Sequence, residues 1–155
     1  MKLFSLFKSD NLKTLEIGGR AYLIKIPKKY LWEYDDEGTL LFYPPGKEII
    51  TIRVTVLSFN RKDGKQNHGP DIVMEEAMSK KLDYEILSDG VAFLETPPEH
   101  KIENGTQLIM QFGYVGRDNS LIIFSSTVIL EYEKRHEVLE MKNDLRQIFK
   151  SITKP

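Results

Sequence analysis

One run of β-branched residues, at positions 48–59, constrains the fold more than any other part of the chain. It reads E-I-I-T-I-R-V-T-V-L-S-F. Successive side chains of a strand point to opposite faces, so the run predicts a central strand with two different surfaces. The apolar face consists of Ile50, Ile52, Val54 and Val56. The mixed face consists of Ile49, Thr51, Arg53, Thr55 and Leu57. We expect the apolar face to lie against a helix.

Several other segments carry the alternation or the turn signals of strands. They lie at 14–17, 21–26, 30–34 and 39–43 before the central strand, and at 91–96, 107–115 and 121–132 after it. Tight turns join 30–34, 39–43 and 48–59, which predicts an antiparallel meander. Asn104-Gly105 is a strong hairpin signal ahead of the strand at 107–115.

Two segments have apolar residues at helical spacing. The first begins at 69–71, where Pro70 and Asp71 suit a helix start, and ends near Asp83. Its stripe consists of Val73, Met74, Ala77, Met78 and Leu82. The second runs over 134–152, with a stripe of Val138, Met141, Leu145, Ile148, Phe149 and Ile152. This order predicts an α+β fold with a central, mainly antiparallel sheet flanked by two or more helices.

The length and composition predict a soluble globular protein of one domain, residues 1–155. The chain has 155 residues, of which 41% are hydrophobic and 29% charged. We expect an N-terminal segment at 1–13 and a core at 14–153. Cysteine is absent, which favours a reducing compartment. The apolar residues at 3–7 are too few for a secretory signal or a spanning helix, so we expect a docked turn, no stable membrane anchor and a cytoplasmic protein.

The charge balance argues against nucleic-acid binding, because the net charge is -1. Charge is nevertheless uneven along the chain. Residues 1–34 carry seven Lys/Arg and three Asp/Glu, whereas 71–103 carry nine Asp/Glu and three Lys/Arg. The unevenness indicates either two solvated faces or a polarised surface that steers a charged partner.

No segment carries a catalytic or metal-binding motif. The P-loop-like stretch at 45–48 lacks the first glycine and the hydroxyl residue of that motif, and no G-x-S-x-G occurs. The three histidines are far apart in sequence and are predicted to be solvated. We therefore expect no catalytic residues, no metal, no cofactor and no enzymatic activity. An enzyme with an unfamiliar site remains an alternative, and it would need Arg53, His68 and His100 to meet in one cleft.

Two groups of side chains are candidates for binding. Alternating aromatics at 30–34 would share one face of a strand, either as half-buried core or as the lining of an interface or pocket. Arg53 would be buried only if paired; otherwise it faces solvent at an edge or lines a groove on the sheet. The candidate binding residues are Arg53, Thr51, Thr55, Tyr30, Trp32 and Tyr34.

Over residues 20–153 the chain resembles the PsbP-like superfamily. The resemblance rests on I-K-I-P-K-K-Y-L-W, D-E-G-T-L-L-F-Y-P and I-T-I-R-V-T-V, followed by the helix from Asp71, the long hairpin and a last helix ending I-F-K-S-I. That superfamily includes the photosystem II protein PsbP, a eukaryotic Ran-binding nuclear-transport factor and bacterial DcrB-like domains. The resemblance implies an α/β/α sandwich and a non-catalytic role in binding another protein, and carries no site residues over.

These observations support a small bacterial cytoplasmic protein-binding domain, acting as an adaptor, an effector chaperone or a toxin-immunity protein. The alternative is a domain that holds a small apolar ligand between sheet and helix, next to the tyrosine and tryptophan residues at 30–34.

Overall fold

The computed structural model describes residues 9–46, 49–59, 68–87 and 90–155. Its strands are β1 (Leu12–Ile17), β2 (Tyr22–Pro27), β3 (Leu31–Tyr34), β4 (Leu40–Tyr43), β5 (Ile50–Ser58), β6 (Glu85–Ile86), β7 (Ala92–Glu95), β8 (Glu99–Glu103), β9 (Thr106–Arg117) and β10 (Ser120–Ile129). Its α-helices are α1 (His68–Lys80) and α2 (His136–Lys150). Neither helix has the length and apolar character needed to cross a membrane. The apolar stretch at 3–7 and most of the predicted loop at 60–68 lie outside the described residues.

Eight strands form one antiparallel sheet in the order β3-β4-β5-β10-β9-β7-β6, with β8 paired to the first half of β9. The predicted α+β fold and the β3-β4-β5 meander are confirmed. The run at 48–59 forms β5, two strands in from the edge, and β10 is the middle strand of the sheet. Arg53, Ser125 and Phe112 are cross-strand neighbours on β5, β10 and β9, so their side chains share the mixed face.

Helix α2 packs on the apolar face of the sheet. The ring centroid of Phe149 lies 3.8 Å from that of Phe124, which is the cross-strand neighbour of Val54. A Cβ atom on Gly113 would lie 2.8 Å from the Phe149 ring, so only glycine leaves room for it. On β5 itself, Ile52 lines a cavity together with Leu145 and Phe149 of α2, whereas Val56 lies against Gly18. The expectation that the apolar face of β5 lies against a helix therefore holds at Ile52 and not at Val56.

Helix α1 packs on one end of the mixed face, over β7, β9 and β10. Its cluster contains Val73, Ala77, Ala92, Leu94 and Leu121. The two helices therefore lie on opposite faces, as in the sandwich that the resemblance implies. The prediction for Met78 was wrong, since 76% of this residue is exposed. The buried stripe of α1 runs through Gly69, Pro70, Val73 and Ala77. Met78 lies about 100° further round the helix than Ala77.

Strands β1 and β2 form a separate two-stranded sheet that lies over the apolar face. Their inward side chains Leu15, Ile17, Ile24 and Ile26 belong to the same core cluster as Ile50 and Ile52. The connecting turn is tight, because Gly18, Gly19 and Arg20 all have positive φ. Leu23 of β2 exchanges two backbone hydrogen bonds with Thr153, at 2.8 and 3.0 Å. The alternation at 14–26 predicted these strands but not their separation from the main sheet.

Candidate interaction surface

Much of the mixed face is uncovered by the helices of the described ranges. Helix α1 lies at one end, and the remainder is half-buried or exposed. We call this remainder the open face; it consists of Leu41, Tyr43, Met110, Phe112, Thr51, Arg53, Thr55, Ser125 and Thr127. It combines apolar side chains, small hydroxyl groups and one cation. The predicted residues Thr51, Arg53 and Thr55 lie together on it.

Arg53 stands on the open face with half of its side chain exposed and one carboxylate beside it. Its Nη2 atom lies 3.5 Å from Oδ2 of Asp35, and the two side chains are 50% and 26% exposed. The other oxygen of Asp35 accepts hydrogen bonds from the backbone N–H groups of Glu37 and Thr39, both at 2.9 Å. The turn thus fixes Asp35, and Asp35 orients the guanidinium. An ion pair this exposed adds little stability. Among the described residues, only Asp35 pairs with the guanidinium, which has five N–H donors in all.

The three predicted aromatics do not share one surface. Strand β3 begins at Leu31, so Tyr30 precedes it and is buried at 3% exposure, with its ring 6.1 Å from that of Phe42. Trp32 and Tyr34 lie on the edge strand, exposed and edge to face at 5.6 Å. They are cross-strand neighbours of the buried β4 residues and so lie on the opposite side from Arg53. A binding role for these three residues remains a prediction.

Trp32 and Tyr34 are held against strand β1. The Nζ atom of Lys13 lies 5.2 Å from the Trp32 ring centroid. The Tyr34 hydroxyl donates a 2.6 Å hydrogen bond to the carbonyl of Glu16, and burial raises the pKa of Tyr34. The two rings therefore fasten the β1–β2 hairpin to the edge of the main sheet.

A buried polar cluster connects α2 to the segment between β2 and β3. Tyr30 donates a hydrogen bond to Asp144, whose side chain is 1% exposed. Lys29 lies 3.3 Å from Asp144 and also binds Glu140, which accepts from His136 at 2.9 Å. No role for Asp144 was predicted from the sequence. Its signal was available, because Asp144 falls between Met141 and Ile148 on the apolar stripe, where an unpaired carboxylate would be costly.

A groove of about 620 Å³ lies beside the last residues of β5. We call it the edge groove; it is lined by Glu16, Gly18, Gly19, Arg20, Tyr34, Glu37, Gly38, Thr39, Val54, Thr55, Val56 and Ser58. The turn of the β1–β2 hairpin forms one wall and the turn between β3 and β4 forms another. Thr55 belongs to both the groove and the open face.

A smaller cavity of about 160 Å³ lies between α2 and the apolar face. Its wall includes Ile52, Phe124 and Phe149, with Glu95 and Lys142 as the charged lining residues. None of the predicted aromatics lines it, and ligand pockets usually enclose about 300–1,000 Å³. The alternative of a small apolar ligand between sheet and helix therefore gains no support from this cavity. Of the aromatic segment at 30–34, Tyr34 lines the edge groove, which is bordered by turns and not by a helix.

The residues of the alternative enzyme site lie apart. Positions along β10 show the separation. Arg53 on β5 is the cross-strand neighbour of Ser125 on β10. His100 on β8 pairs with Ile109 on β9, and Ile109 in turn pairs with Val128 on β10. The amide of His68 bonds the side chain of Asn119, beyond the other end of β10. Because a strand rises about 3.3 Å per residue, the two histidines are separated by most of the strand's length. The described ranges also contain no group of three or more acidic or histidine side chains placed to hold a metal ion.

Comparison with known proteins adds information about the fold. No family model matches the chain, and no curated protein matches it. A crystal structure of a protein from Bacteroides thetaiotaomicron matches at TM-score 0.62 and 18% identity, over 94% of this chain and 49% of that one. The chain thus spans about half the length of that protein. The solution structure of cyanobacterial PsbP from Synechocystis matches at TM-score 0.41 and 10% identity, over 96% of this chain and 95% of that one. The PsbP-like resemblance is architectural, and a similarity of this size carries no argument about function.

Proposed function

We propose that the chain is a non-catalytic protein-binding domain that docks its partner on the open face. The observation that carries the proposal is a sheet face with no helix of the described ranges over it, centred on Arg53 and flanked by Phe112, Met110 and Tyr43. Aromatic residues, methionine and arginine are enriched at protein interfaces. Arginine is also among the residues that most often dominate binding energy.

The shape and charge of the open face favour a protein over other partners. A sheet face is broad, whereas small molecules are held in enclosed pockets. The net charge of -1 gives no general attraction for nucleic acid. Within this proposal the chain is a bacterial cytoplasmic adaptor, effector chaperone or toxin-immunity protein, and the partner is another protein.

Affinity capture with matched arginine variants tests the proposal. The full chain is immobilised, proteins from a lysate of the source cells are captured, and the affinity of each captured protein is measured for three forms. Arg53→Glu reverses the charge on the open face. Arg146→Glu is the control, because Arg146 lies on α2 at the opposite face and is 54% exposed, close to the 50% of Arg53.

We expect Arg53→Glu to weaken binding of the partner at least about tenfold, as for a residue near the centre of an interface, and Arg146→Glu to leave it unchanged. Equal effects of the two variants would contradict the open face as the docking surface. Failure to retain any protein above background would contradict the protein-binding function itself.

A further inference from the structure

Strand β5 is longer than its neighbour on one side. Strand β4 pairs with it only as far as Leu40 opposite Val54. The other neighbour, β10, continues to Ser120 opposite Ser58. Positions 55–58 of β5 therefore have a strand partner on one side, and none among the described residues on the other.

The hydrogen-bond pattern identifies which backbone groups face the unpaired side. The amide of Phe59 donates to the carbonyl of Asn119, and that of Ile129 donates to the carbonyl of Ile49. Odd-numbered residues of β5 thus exchange hydrogen bonds with β10, and even-numbered residues point towards β4. Beyond the end of β4, the N–H and C=O groups of Val56 and Ser58 point into the edge groove, and no residue of the described ranges bonds them.

The unpaired part of β5 beside the edge groove is as long as a short strand. Four residues of β5 extend past Val54, which corresponds to roughly 13 Å of added strand. The hairpin turn at 18–20 and the turn at 37–39 border this space. A Cβ atom on Gly18 would lie 2.9 Å from Cβ of Val56, so the hairpin turn sits directly on β5.

The charged groups of the groove favour a basic ligand. Its lining contains two carboxylates, Glu16 and Glu37, and one guanidinium, Arg20. Arg20 is already paired with Glu16, at 3.4 Å. Glu37 is exposed, and its carboxylate forms no ion pair with a described residue. A lysine or arginine on an incoming chain would find its counter-charge there.

We propose that the partner inserts an extended segment into the edge groove, where it pairs with Val56 and Ser58 as an added strand and places a basic side chain against Glu37. This proposal rests on the protein-binding function proposed above and names how the partner is recognised. Strand addition of this kind takes affinity from main-chain hydrogen bonds and specificity from alternate side chains. Thr55, shared by the groove and the open face, joins the added strand to the surface around Arg53.

The outer edge of β3 is a weaker candidate for strand addition. Odd-numbered residues of β3 exchange hydrogen bonds with β4, so the N–H and C=O groups of Trp32 and Tyr34 point away from the sheet. That strand has only four residues, and Lys13 and Glu33 stand beside it. Short edges with charged neighbours are the usual protection of a sheet against added strands. The β5 edge differs because it lies recessed between two turns.

Amide hydrogen exchange of the free full chain tests the premise. Thr55 and Leu57 donate to β10, so their amides should be protected, whereas those of Val56 and Ser58 should exchange at least about tenfold faster. Equal protection of all four amides in dilute protein would mean that another segment of the chain already covers the edge. Protection of Val56 and Ser58 that grows with protein concentration would mean that a second copy covers it. Either result would overturn the proposal.

Selection from phage-displayed random ten-residue peptides on the full chain tests the binding. We expect enriched peptides to alternate β-branched residues and to carry lysine or arginine. A synthetic enriched peptide should protect the amides of Val56 and Ser58. No enrichment, or protection elsewhere on the chain, would overturn the proposal.

Two variants separate strand addition from other modes of binding. Ser58→Pro removes one outward N–H group without removing a donor to β10, whereas Ser58→Ala keeps that N–H group and serves as the control. Proline is tolerated where a strand's N–H faces away from its neighbour. We expect Ser58→Pro to weaken peptide binding about tenfold and Ser58→Ala to leave it unchanged.

Glu37→Lys, which leaves the backbone intact, should weaken the binding of basic peptides about fivefold. A natural partner that no longer binds Arg53→Glu but still binds both Ser58→Pro and Glu37→Lys would support the protein-binding function and contradict strand addition.

Discussion

Asp144 is a buried charged residue that is stabilised by two partners. It is the one charged side chain of the described ranges that is fully buried in the core. Tyr30 and Lys29 stabilise it, and burial raises the pKa of Tyr30 well above its ordinary value of 10.0. A buried carboxylate is costly when it loses a partner. The loop before β3 and helix α2 are therefore joined through one side chain.

We predict that Tyr30→Phe lowers the free energy of unfolding by about 1–3 kcal/mol, since it leaves Asp144 short of one hydrogen bond. Urea denaturation measures this change. Tyr34→Phe is the matched control, because its hydroxyl bonds a backbone carbonyl at an exposed site, and it should cost about 1 kcal/mol or less. Equal losses for the two variants would contradict a special role for the Asp144 cluster.

Glu140 makes the stability of the folded chain depend on pH. The hydrogen bond from Lys29 lowers the pKa of Glu140 below its ordinary value of 4.5, with a further contribution from His136. Asp144 is the other carboxylate near Lys29. Because the folded pKa is depressed, the stabilisation is present above pH 4.5 and is lost as the pH falls through the lowered folded value.

We predict that Glu140→Gln costs about 1 kcal/mol of unfolding free energy at neutral pH, and that its difference from the wild type shrinks as the pH is lowered below 4.5. Denaturation curves across the acid range measure it. Glu137→Gln, at an exposed position of the same helix turn, should show no such trend. A difference between Glu140→Gln and wild type that stays constant through the acid range would contradict the assignment.

At the scale of elements, α1 meets the sheet backbone to backbone. A Cβ atom on Gly116 would collide with the carbonyl of Gly69, and one on Gly69 would collide with the carbonyl of Ser120. The amide of Gly69 donates to the carbonyl of Asp118 at 2.8 Å. Two glycines therefore set the distance between the first turn of α1 and the β9–β10 hairpin.

We predict that Gly116→Ala lowers the unfolding free energy by about 1–3 kcal/mol, because backbone cannot move aside as a flexible side chain can. Amide exchange should locate the loss in α1 and leave β5 and β10 protected. Ser125→Ala, on the open face of β10, is the control and should change little. Wild-type protection of α1 in Gly116→Ala would contradict the close contact.

Most of the strands that the sequence predicted have one buried face; β3, whose four residues are all exposed, was predicted from its alternating aromatics. Strand β5 alternates because Ile50, Ile52 and Val54 meet α2 and the hairpin. Strand β8 was missed, although the turn at Asn104-Gly105 implied a partner, because all five of its residues are exposed and no apolar alternation exists. Its pairing comes from the turn and from β9. Strand β6 has two residues and is too short to carry a period.

At the scale of the whole molecule, the candidate surfaces depend on contacts that are distant in sequence. Alternation correctly placed Thr51, Arg53 and Thr55 on one face of a strand. It could not reveal that α1 would cover only the far end of that face, since this depends on the glycine contact at 69 and 116. Nor could it reveal that Tyr30 meets Asp144, which lies 114 residues away. The edge groove arises because β4 stops short of β5, a difference visible only once the strands are paired.

The bridge between Leu23 and Thr153 has a consequence for the order in which the protein matures on the ribosome. Strands β1 and β2 are synthesised before the main sheet, yet Thr153, one of the residues that fasten them, lies 126 positions after Pro27. At typical translation speeds of about 5–20 residues per second, the hairpin waits roughly 6–25 s for its final neighbour. Throughout that interval the inward side chains of the hairpin have no completed core to enter. We therefore expect this hairpin to be open to proteases and chaperones for longer than the elements synthesised after it.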